Sequence, residues 1–334
     1  MAHRSGPARP HTSHSNSAKR NGKSGHPSRQ KRTHGGNPAK VAPAGFGDWV
    51  SGARLRTLPL AIAPVAIGTG AAIVASEPGV YHPVRAVLAL LVALLLQVGV
   101  NYANDYSDGI RGTDAYRIGP ARLTGSGAAQ PKTVLKVALA FFGLAAIAGL
   151  ILIILSRQWW LLAVGVAAIA AAWFYTGGKR PYGYFGLGEL FVFVFFGLVA
   201  TLGTTLVQAG TVNLESWIGG VSIGLIACAV LMVNNLRDLA PDKAAGKRTL
   251  AVLIGDRASR IVFCVLLLLP YVAVAFFSLF YPLALFTYFT LLLALPACLI
   301  TVTAKTSKEL ILALKLTSFT ALGFGLLLGA AFAL

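Results

Sequence analysis

Two short stretches of this sequence gather much of its scarce acidic chemistry. The chain has only 11 Asp and Glu residues among 334. Five of them stand in NYANDYSDGIRGTD, residues 101–114, and NNLRDLAPDKAAGKRT, residues 234–249. Each stretch follows the end of a long apolar segment, where a carboxylate is costly to remove from water. The pattern therefore indicates two functional clusters at a membrane surface.

Helical spacing aligns the polar side chains of each cluster. The first cluster forms a stripe on one helix face, made of Gln97, Asn101, Asn104, Asp105 and Asp108. The second repeats every fourth residue as Asn234, Asp238 and Asp242. We expect Pro241 to end the regular helix there. Such a stripe faces a cavity or another polar stripe and avoids lipid.

Oxygen ligands of this kind suit Mg²⁺, which proteins usually hold with one or two carboxylates plus substrate phosphates. Two facing clusters could bind two ions with a diphosphate between them. Taken singly, either cluster could equally consist of solvated carboxylates that cap helix ends. The amides beneath both clusters favour function.

Basic residues in the adjoining loops are the expected partners of the remaining phosphate oxygens. They are Arg111, Arg122, Lys179, Arg180, Arg237, Lys243, Lys247 and Arg248. For any one of them, the general excess of Lys and Arg in cytoplasmic loops is the simpler explanation.

The elements that must position these clusters are apolar helices. Apolar residues make up 56% of the chain and charged residues 12%, with a mean hydropathy of +0.69, which is outside the range of soluble domains. A span needs about 20 apolar residues. Nine segments qualify, at about 57–76, 84–103, 134–155, 159–176, 189–209, 216–236, 260–280, 282–302 and 311–333. The sequence predicts an all-α polytopic membrane protein with nine transmembrane helices.

The distribution of Lys and Arg predicts the orientation in the cell membrane. With the N-terminus in the cytoplasm, 27 of the 29 basic residues lie on that side, and only Arg85 and Arg157 lie outside. Both acidic clusters then open to the cytoplasm. We expect residues 1–45 to be a disordered basic cytoplasmic tail, and 46–334 to be the membrane domain. Tail and loops explain the net charge of +18 without a nucleic-acid partner.

Several other chemistries are excluded. Cys228, Cys264 and Cys298 lie in apolar segments without CxxC spacing, which is typical of small core residues. Five of the six histidines are in the tail, and the sixth, His82, is in a predicted outside loop. Haem ligation and His-ligated zinc within the membrane are therefore not expected. DYSDGIRGTD lacks the spacing of an EF-hand.

The motifs resemble those of the UbiA-type membrane prenyltransferases. Asn101, Asp105 and Asp108 match the first motif of the family, of the NxxxD type, and Asp238 and Asp242 begin the second, DxxxDxxxG. RLRTLPLAIAPV, NDYSDGIRGTD, KRPYGYFGLGE and GKRTLAVLIG are similar to the branch that prenylates dihydroxynaphthoate. The resemblance spans about residues 46–334. One departure is Asp114, six residues after Asp108, where other branches use a four-residue step.

The resemblance implies a fold and a reaction. The fold would be a UbiA-type bundle of nine helices around a central cavity open to the cytoplasmic face. The reaction would be Mg²⁺-dependent transfer of a polyprenyl group from polyprenyl diphosphate to 1,4-dihydroxy-2-naphthoate, with loss of CO₂ and diphosphate. The product would be demethylmenaquinone, in menaquinone biosynthesis, and the partners would be these two substrates and membrane lipid.

The resemblance and the residue pattern together assign roles to the site. The metal ligands would be Asn101, Asp105, Asp108, Asn234, Asp238 and Asp242, and the four acids among them would be catalytic. The substrate contacts would be Asn104, Arg111, Asp114, Tyr175, Lys179, Arg180, Lys247 and Arg248. Tyr175 could also shield an allylic cation with its ring face.

Two alternatives stay open. Within the same fold, the acceptor could be 4-hydroxybenzoate, homogentisate or a phosphosugar. In a different class, the chain could be a cation-coupled transporter. A transporter usually carries its ionisable residues near the bilayer midplane, whereas these residues cluster at one surface.

Overall fold

Helices form at all nine of the predicted apolar segments. The computed structural model describes residues 42–77, 80, 82–113 and 122–334. In chain order its α-helices are α1 Phe46–Gly52, α2 Pro59–Ala75, α3 Pro83–Ile110, α4 Pro131–Ser156, α5 Leu161–Phe174, α6 Gly188–Val192, α7 Ala200–Ala209, α8 Leu214–Arg237, α9 Leu239–Ala244, α10 Leu250–Ile254, α11 Asp256–Leu268, α12 Pro270–Phe277, α13 Leu291–Thr303 and α14 Ser307–Ala333. A π-helical turn, Phe193–Val199, joins α6 to α7, and a 3₁₀ segment, Pro282–Thr290, precedes α13.

Seven helical spans of the described part are long and apolar enough to cross a membrane. Four are the single helices α3, α4, α8 and α14. The other three are composite: α6 to α7 through the π-helical turn, α11 with α12, and the 3₁₀ segment with α13. An eighth is added if Phe46–Thr57 and Pro59–Ala75, which meet at 45°, form one broken span. The remaining predicted segment, 159–176, forms α5 with 14 residues, fewer than the roughly 20 of a full span. The protein is a polytopic all-α membrane protein, and the count of nine spans stays a prediction.

The two helices that carry the acidic clusters belong to different hydrophobic clusters. α3 packs against α4 through Tyr102, Ala103 and Phe142. α8 lies among α2, α11 and α14, and buries Met232 and Leu236 in the larger cluster. The polar ends of α3 and α8 therefore meet across a boundary between two apolar cores.

Two boundaries differ from the predicted ones. The second predicted apolar segment, 84–103, continues as regular helix beyond its predicted end, because α3 reaches Ile110. The second cluster is broken earlier than expected, because α8 ends at Arg237 and the short helix α9 begins at Leu239. Pro241 lies in the first turn of α9, where a missing backbone N–H costs little. Asp238 thus occupies a corner between two helices.

All residues that the structure describes belong to one compact unit, Val41–Leu334. The expectation of a disordered tail at residues 1–45 falls almost entirely outside the described residues. The division of the chain into tail and membrane domain therefore stays a prediction.

Close contact between α2 and α14 holds the first span in the bundle. A methyl group added at Gly70 would collide with the backbone carbonyl of Gly329, and one added at Gly329 would collide with the carbonyl of Ala66. Small residues at helix crossings allow such approach, and packing provides the attraction between helices in lipid.

We expect Gly329→Leu to lower the free energy of unfolding by about 2 kcal/mol or more, because the side chain must separate α2 from α14. Gly143→Leu is the matched control, since a Cβ there meets nothing within 4 Å. The measurement is thermal unfolding in detergent. Equal melting temperatures for the two variants would contradict the packing model.

Candidate active site

A cavity of about 410 Å³ lies between the helices that carry the two clusters. Polar side chains surround one part of it, and apolar side chains line the rest, most of them from α2 to α8 and from the π-helical turn. The polar part is formed by Asn101, Asn104, Asp108, Asn234, Asn235, Asp238, Asp242 and Lys247. The structure therefore brings the two predicted clusters to a single cavity.

Lys247 connects the two clusters directly. Its Nζ lies 3.5 Å from Asp108 Oδ1 and 3.8 Å from Asp242 Oδ1. Those distances together limit the separation of the two carboxylate oxygens to 7.3 Å. One ligand of the size of a diphosphate can therefore contact both clusters.

Asp108 is bound by several side chains from other segments. It is buried, and its Oδ2 lies 3.0 Å from Arg122 Nη1. Its Oδ1 accepts a hydrogen bond from the Tyr184 hydroxyl at 2.5 Å. Burial, together with the adjacent Asp108, raises the pKa of the Tyr184 hydroxyl, so this group stays protonated as a donor.

The second cluster contains one paired acid and one acid with a raised pKa. Asp238 Oδ1 and Oδ2 accept hydrogen bonds from Arg237 Nε and Nη2 at 2.8 and 2.5 Å. Burial raises the pKa of the Asp242 carboxyl to about 6, and the Lys247 ammonium opposes this shift. Such a carboxyl becomes fully ionised when a cation binds beside it.

The amides of α3 tie other segments to the cavity. Asn101 Nδ2 donates to the Ala53 carbonyl at 2.9 Å and to Thr57 Oγ1 at 3.0 Å. Asn104 Oδ1 accepts a hydrogen bond from Thr176 Oγ1 at 2.6 Å. Through these bonds α3 positions the bend before α2 and the segment that follows α5.

Asp105 does not line the cavity, unlike its neighbours in the predicted stripe. Its two carboxylate oxygens accept hydrogen bonds from the backbone N–H groups of Leu123 and Thr124, at 3.0 and 2.8 Å. The carboxylate thus holds the loop that leads to α4. This position corrects the expectation that Asp105 faces the metal with the other acids.

The predicted basic contacts divide into two groups. Lys247 lines the cavity, as do Arg122, Arg54 and Arg56. Five others are exposed and do not line it: Arg111, Lys179, Arg180, Lys243 and Arg248. Arg237 is buried and pairs with Asp238 but does not line the cavity either. The structure therefore does not place these six residues at the cavity wall, where the sequence predicted them.

Arg111 has a different use, because its guanidinium donates to the backbone carbonyls of Thr176 and Gly178. It also stacks over the Tyr184 ring, 5.6 Å from the ring centre. Tyr175 lines the cavity as predicted. Asp114 lies outside the described residues.

Several residues of the cavity were not among the predicted site residues. Arg54 and Arg56 precede the first long helix, and Arg54 has a left-handed backbone with φ +53°, a conformation that costs a non-glycine residue free energy and is often found at functional sites. Tyr184 and Asn235 also line the cavity and were not predicted. In the sequence these residues stand in RLRTLPL, KRPYGYFGLGE and NNLRD, and these stretches do not distinguish them from their neighbours.

Comparisons with known proteins identify the family. The model of the UbiA prenyltransferase family matches residues 61–313. The chain belongs to the UbiA prenyltransferase family. A Mycobacterium tuberculosis protein named 1,4-dihydroxy-2-naphthoate octaprenyltransferase is 55% identical over 223 residues, covering 66% of this chain and 74% of that protein. The Escherichia coli protein of the same name is 38% identical over 238 residues, covering 70% and 76%.

Solved structures share the UbiA fold. A UbiA homologue from Aeropyrum pernix superposes with a TM-score of 0.61 at 15% identity, covering 82% of this chain and 96% of that one. A homologue from Archaeoglobus fulgidus, described as bound to DMAPP and Mg²⁺, gives a TM-score of 0.57 at 16% identity, covering 85% and 99%. These similarities confirm the predicted all-helical fold.

The position of Asp105 generates a test of its role. Asp105→Ala leaves two backbone N–H groups without their acceptor, one buried and one partly buried. The loss costs about 1–3 kcal/mol for the buried group and less for the other. We expect a lower melting temperature and faster proteolysis near residue 123. Asp256→Ala is the control, because that acid pairs with Arg260 at a half-exposed site. A fully stable Asp105→Ala protein would contradict the loop-holding role.

Proposed function

We propose that this protein transfers a polyprenyl group from polyprenyl diphosphate to 1,4-dihydroxy-2-naphthoate, with release of CO₂ and diphosphate. The observation that carries the proposal is the pair of opposed acid clusters joined by Lys247 at the polar end of an otherwise apolar cavity. That arrangement suits a substrate with a diphosphate head and a long hydrocarbon chain.

Family membership and the names of the relatives support the acceptor. Relatives that are 55% and 38% identical are named for octaprenyl transfer to this naphthoate. The transfer leaves the ring at the hydroquinone level, so its immediate product is the quinol form of demethylmenaquinone, an intermediate of menaquinone biosynthesis. A transporter is disfavoured, because the acids lie at helix ends on one side of the bundle and not midway along the spans.

The donor set of the polar part fits Mg²⁺ only together with a phosphate ligand. Among the described residues, no group of three or more His, Cys, Asp or Glu side chains forms a ready-made metal site. Mg²⁺ commonly uses one or two carboxylates plus substrate phosphates. We assign Asp108 with Asn101 to one ion, and Asp238 and Asp242 with Asn234 to the other. Asp105 is left out of the metal set.

The other residues around the diphosphate head group have two functions, phosphate binding and shielding of the allylic cation. Arg54, Arg56, Arg122 and Lys247 contribute positive charge to the cavity wall, where they bind phosphate oxygens and stabilise the charge that develops on the leaving diphosphate. Bound Mg²⁺ adds Lewis-acid stabilisation of the same charge. The rings of Tyr175 and Tyr182 line the adjoining wall and can shield an allylic cation.

Atoms and electrons balance without a strong base. The C1–O bond of the donor breaks, and its electron pair leaves with the diphosphate. The ring carbon that bears the carboxylate supplies the pair for the new C–C bond. The bond to CO₂ then breaks, and its electrons restore the aromatic ring. Because the reaction needs no strong base, it is compatible with a cavity whose described wall has no histidine.

The apolar part of the cavity is the proposed path of the prenyl chain. Leu161 and Val164 of α5 and Val207 of α7 lie along it. Gly165 lines the cavity, and the neighbouring Leu162 and Val166 of the same helix are exposed. We infer that the chain leaves the bundle beside the short helix α5 and enters lipid.

The polar end faces the cytoplasm in this proposal. Arg85 binds the carbonyls of Leu155 and Val207 at the opposite end of the bundle. Most of the described Lys and Arg residues lie in the connections at the polar end, which the positive-inside rule places in the cytoplasm.

The reaction is tested with purified protein in lipid, labelled polyprenyl diphosphate and a panel of aromatic acids. We expect a labelled lipid product and stoichiometric CO₂ with 1,4-dihydroxy-2-naphthoate. Activity should stop with EDTA and return with Mg²⁺. If product forms only with 4-hydroxybenzoate, homogentisate or a phosphosugar, the proposed acceptor is wrong. If EDTA has no effect on activity, the proposed dependence on Mg²⁺ is wrong.

The two clusters are tested separately by substitution. Asp108→Asn and Asp242→Asn should each lower kcat/KM by about 100-fold or more, because each removes charge that holds the diphosphate complex. Asp256→Asn, outside the cavity, is the matched control. Circular dichroism and thermal unfolding verify the fold. Near-normal turnover in either cluster variant would contradict a site shared by both clusters.

A further inference from the structure

One buried carboxyl beside the cavity takes no part in the acid clusters. Glu189 stands in the first turn of α6 and is 8% exposed. Its Oε1 accepts a hydrogen bond from Asn235 Nδ2 at 3.0 Å. Its Oε2 is buried and has no hydrogen-bond partner among the described residues.

The other buried acids are better compensated. Asp105 has two backbone donors, Asp108 has ion pairs, and Asp238 has both nitrogens of an arginine fork. Glu189 has one neutral side-chain donor. Burying a carboxyl with so few partners is costly, so the structure keeps this group at the expense of stability.

The bond from Asn235 fixes the direction of its amide. Asn235 lines the cavity, whereas Glu189 lies behind it. Since Nδ2 is turned toward the carboxyl, Oδ1 on the other branch of the amide is turned away from it. Oδ1 is neither sealed from the cavity nor hydrogen-bonded within the described residues. The wall thus offers one oriented acceptor.

The aromatic part of the cavity wall next to Asn235 includes Tyr175. The ring of Tyr175 packs against the backbone next to Glu189, since a Cβ at Gly188 would lie 3.4 Å from Tyr175 Cε2 and 3.7 Å from its hydroxyl oxygen. Both Tyr175 and Asn235 line the cavity. An aromatic ligand stacked here would bring its own hydroxyl groups near the amide.

We propose that Asn235 Oδ1 accepts a hydrogen bond from a ring hydroxyl of the aromatic acceptor, and that Glu189 is the positioning residue that orients this amide. The proposal rests on the proposed function. A neutral amide is sufficient to bind this hydroxyl. The reaction releases no net proton, so the hydroxyl has to be held in place but not deprotonated. Such a hydrogen bond also favours electron density in the ring at the carbon that attacks the donor.

The first test separates acceptor binding from donor binding in steady-state kinetics. Glu189→Leu should raise the KM for dihydroxynaphthoate about tenfold and leave the KM for polyprenyl diphosphate within about twofold. Glu189→Gln retains an oxygen for Asn235 and should recover most of the acceptor affinity. Glu215→Leu is the control, because Glu215 also accepts one neutral hydrogen bond, from the Tyr281 hydroxyl at 2.8 Å, away from the cavity.

The second test uses binding without turnover, and it applies even if Glu189→Leu does not fold. Inhibition constants are measured for 1-hydroxy-2-naphthoate, 4-hydroxy-2-naphthoate and 2-naphthoate on the wild-type protein and on Asn235→Ala. One of the two hydroxynaphthoates should bind the wild type about tenfold more tightly than 2-naphthoate does. The same hydroxyl should give no such gain in Asn235→Ala.

Several outcomes would overturn the proposal. They are equal gains from each hydroxyl in both proteins, a rise of the donor KM in Glu189→Leu, or a Glu189→Gln protein as impaired as Glu189→Leu. These results are distinct from failure of the proposed function, which would appear as a wild-type protein that makes no prenylated naphthol.

Discussion

The site depends on the placement of one ammonium group between two acids that come from separate parts of the bundle. α3 and α8 pack in different apolar clusters, so no continuous core brings Asp108 and Asp242 together. Lys247 lies between them and offsets the repulsion of two poorly hydrated carboxylates. A buried ion pair contributes little net stability, because desolvation cancels most of the attraction. Its effect is to fix the spacing of the clusters and to leave a cation where a phosphate oxygen can reach it.

Helix geometry explains why neighbouring acids of one motif have different roles. At about 100° per residue, Asn101, Asn104 and Asp108 lie within about 60° of each other around α3, and Asp105 lies at the edge of this stripe. The centre of the stripe faces the cavity, whereas its edge faces the loop at Leu123 and Thr124. The motif therefore combines a binding face with an anchor that holds the cavity wall in place.

The sequence alone was sufficient for the all-helical membrane class and for the meeting of the two clusters, because both follow from apolar length and from the cost of acids in lipid. It was not sufficient for the number of full spans, since α5 has only 14 residues. Nor was it sufficient for the choice among the basic residues. The positive-inside rule fills every cytoplasmic loop with Lys and Arg, so the pattern could not separate Lys247 from the exposed Lys179 and Arg248. Which basic residue reaches the cavity is decided by features that a sequence pattern does not show. Examples are backbone turns, such as the left-handed Arg54, and hydrogen bonds between distant segments, such as that from Tyr184 to Asp108.

In the proposed site, two consecutive amides on α8 serve two different substrates. Asn234 and Asn235 both line the cavity but differ by about 100° around the helix axis, and Glu189 holds the second. A charged donor needs metal, cations and access to water, whereas a phenolic acceptor needs an apolar wall with one oriented polar atom. If the same residues served both ligands, the cations that bind diphosphate would also bind the carboxylate of the acceptor in unproductive positions. Separation by one residue along α8 avoids this conflict and places the ring beside the carbon that becomes cationic.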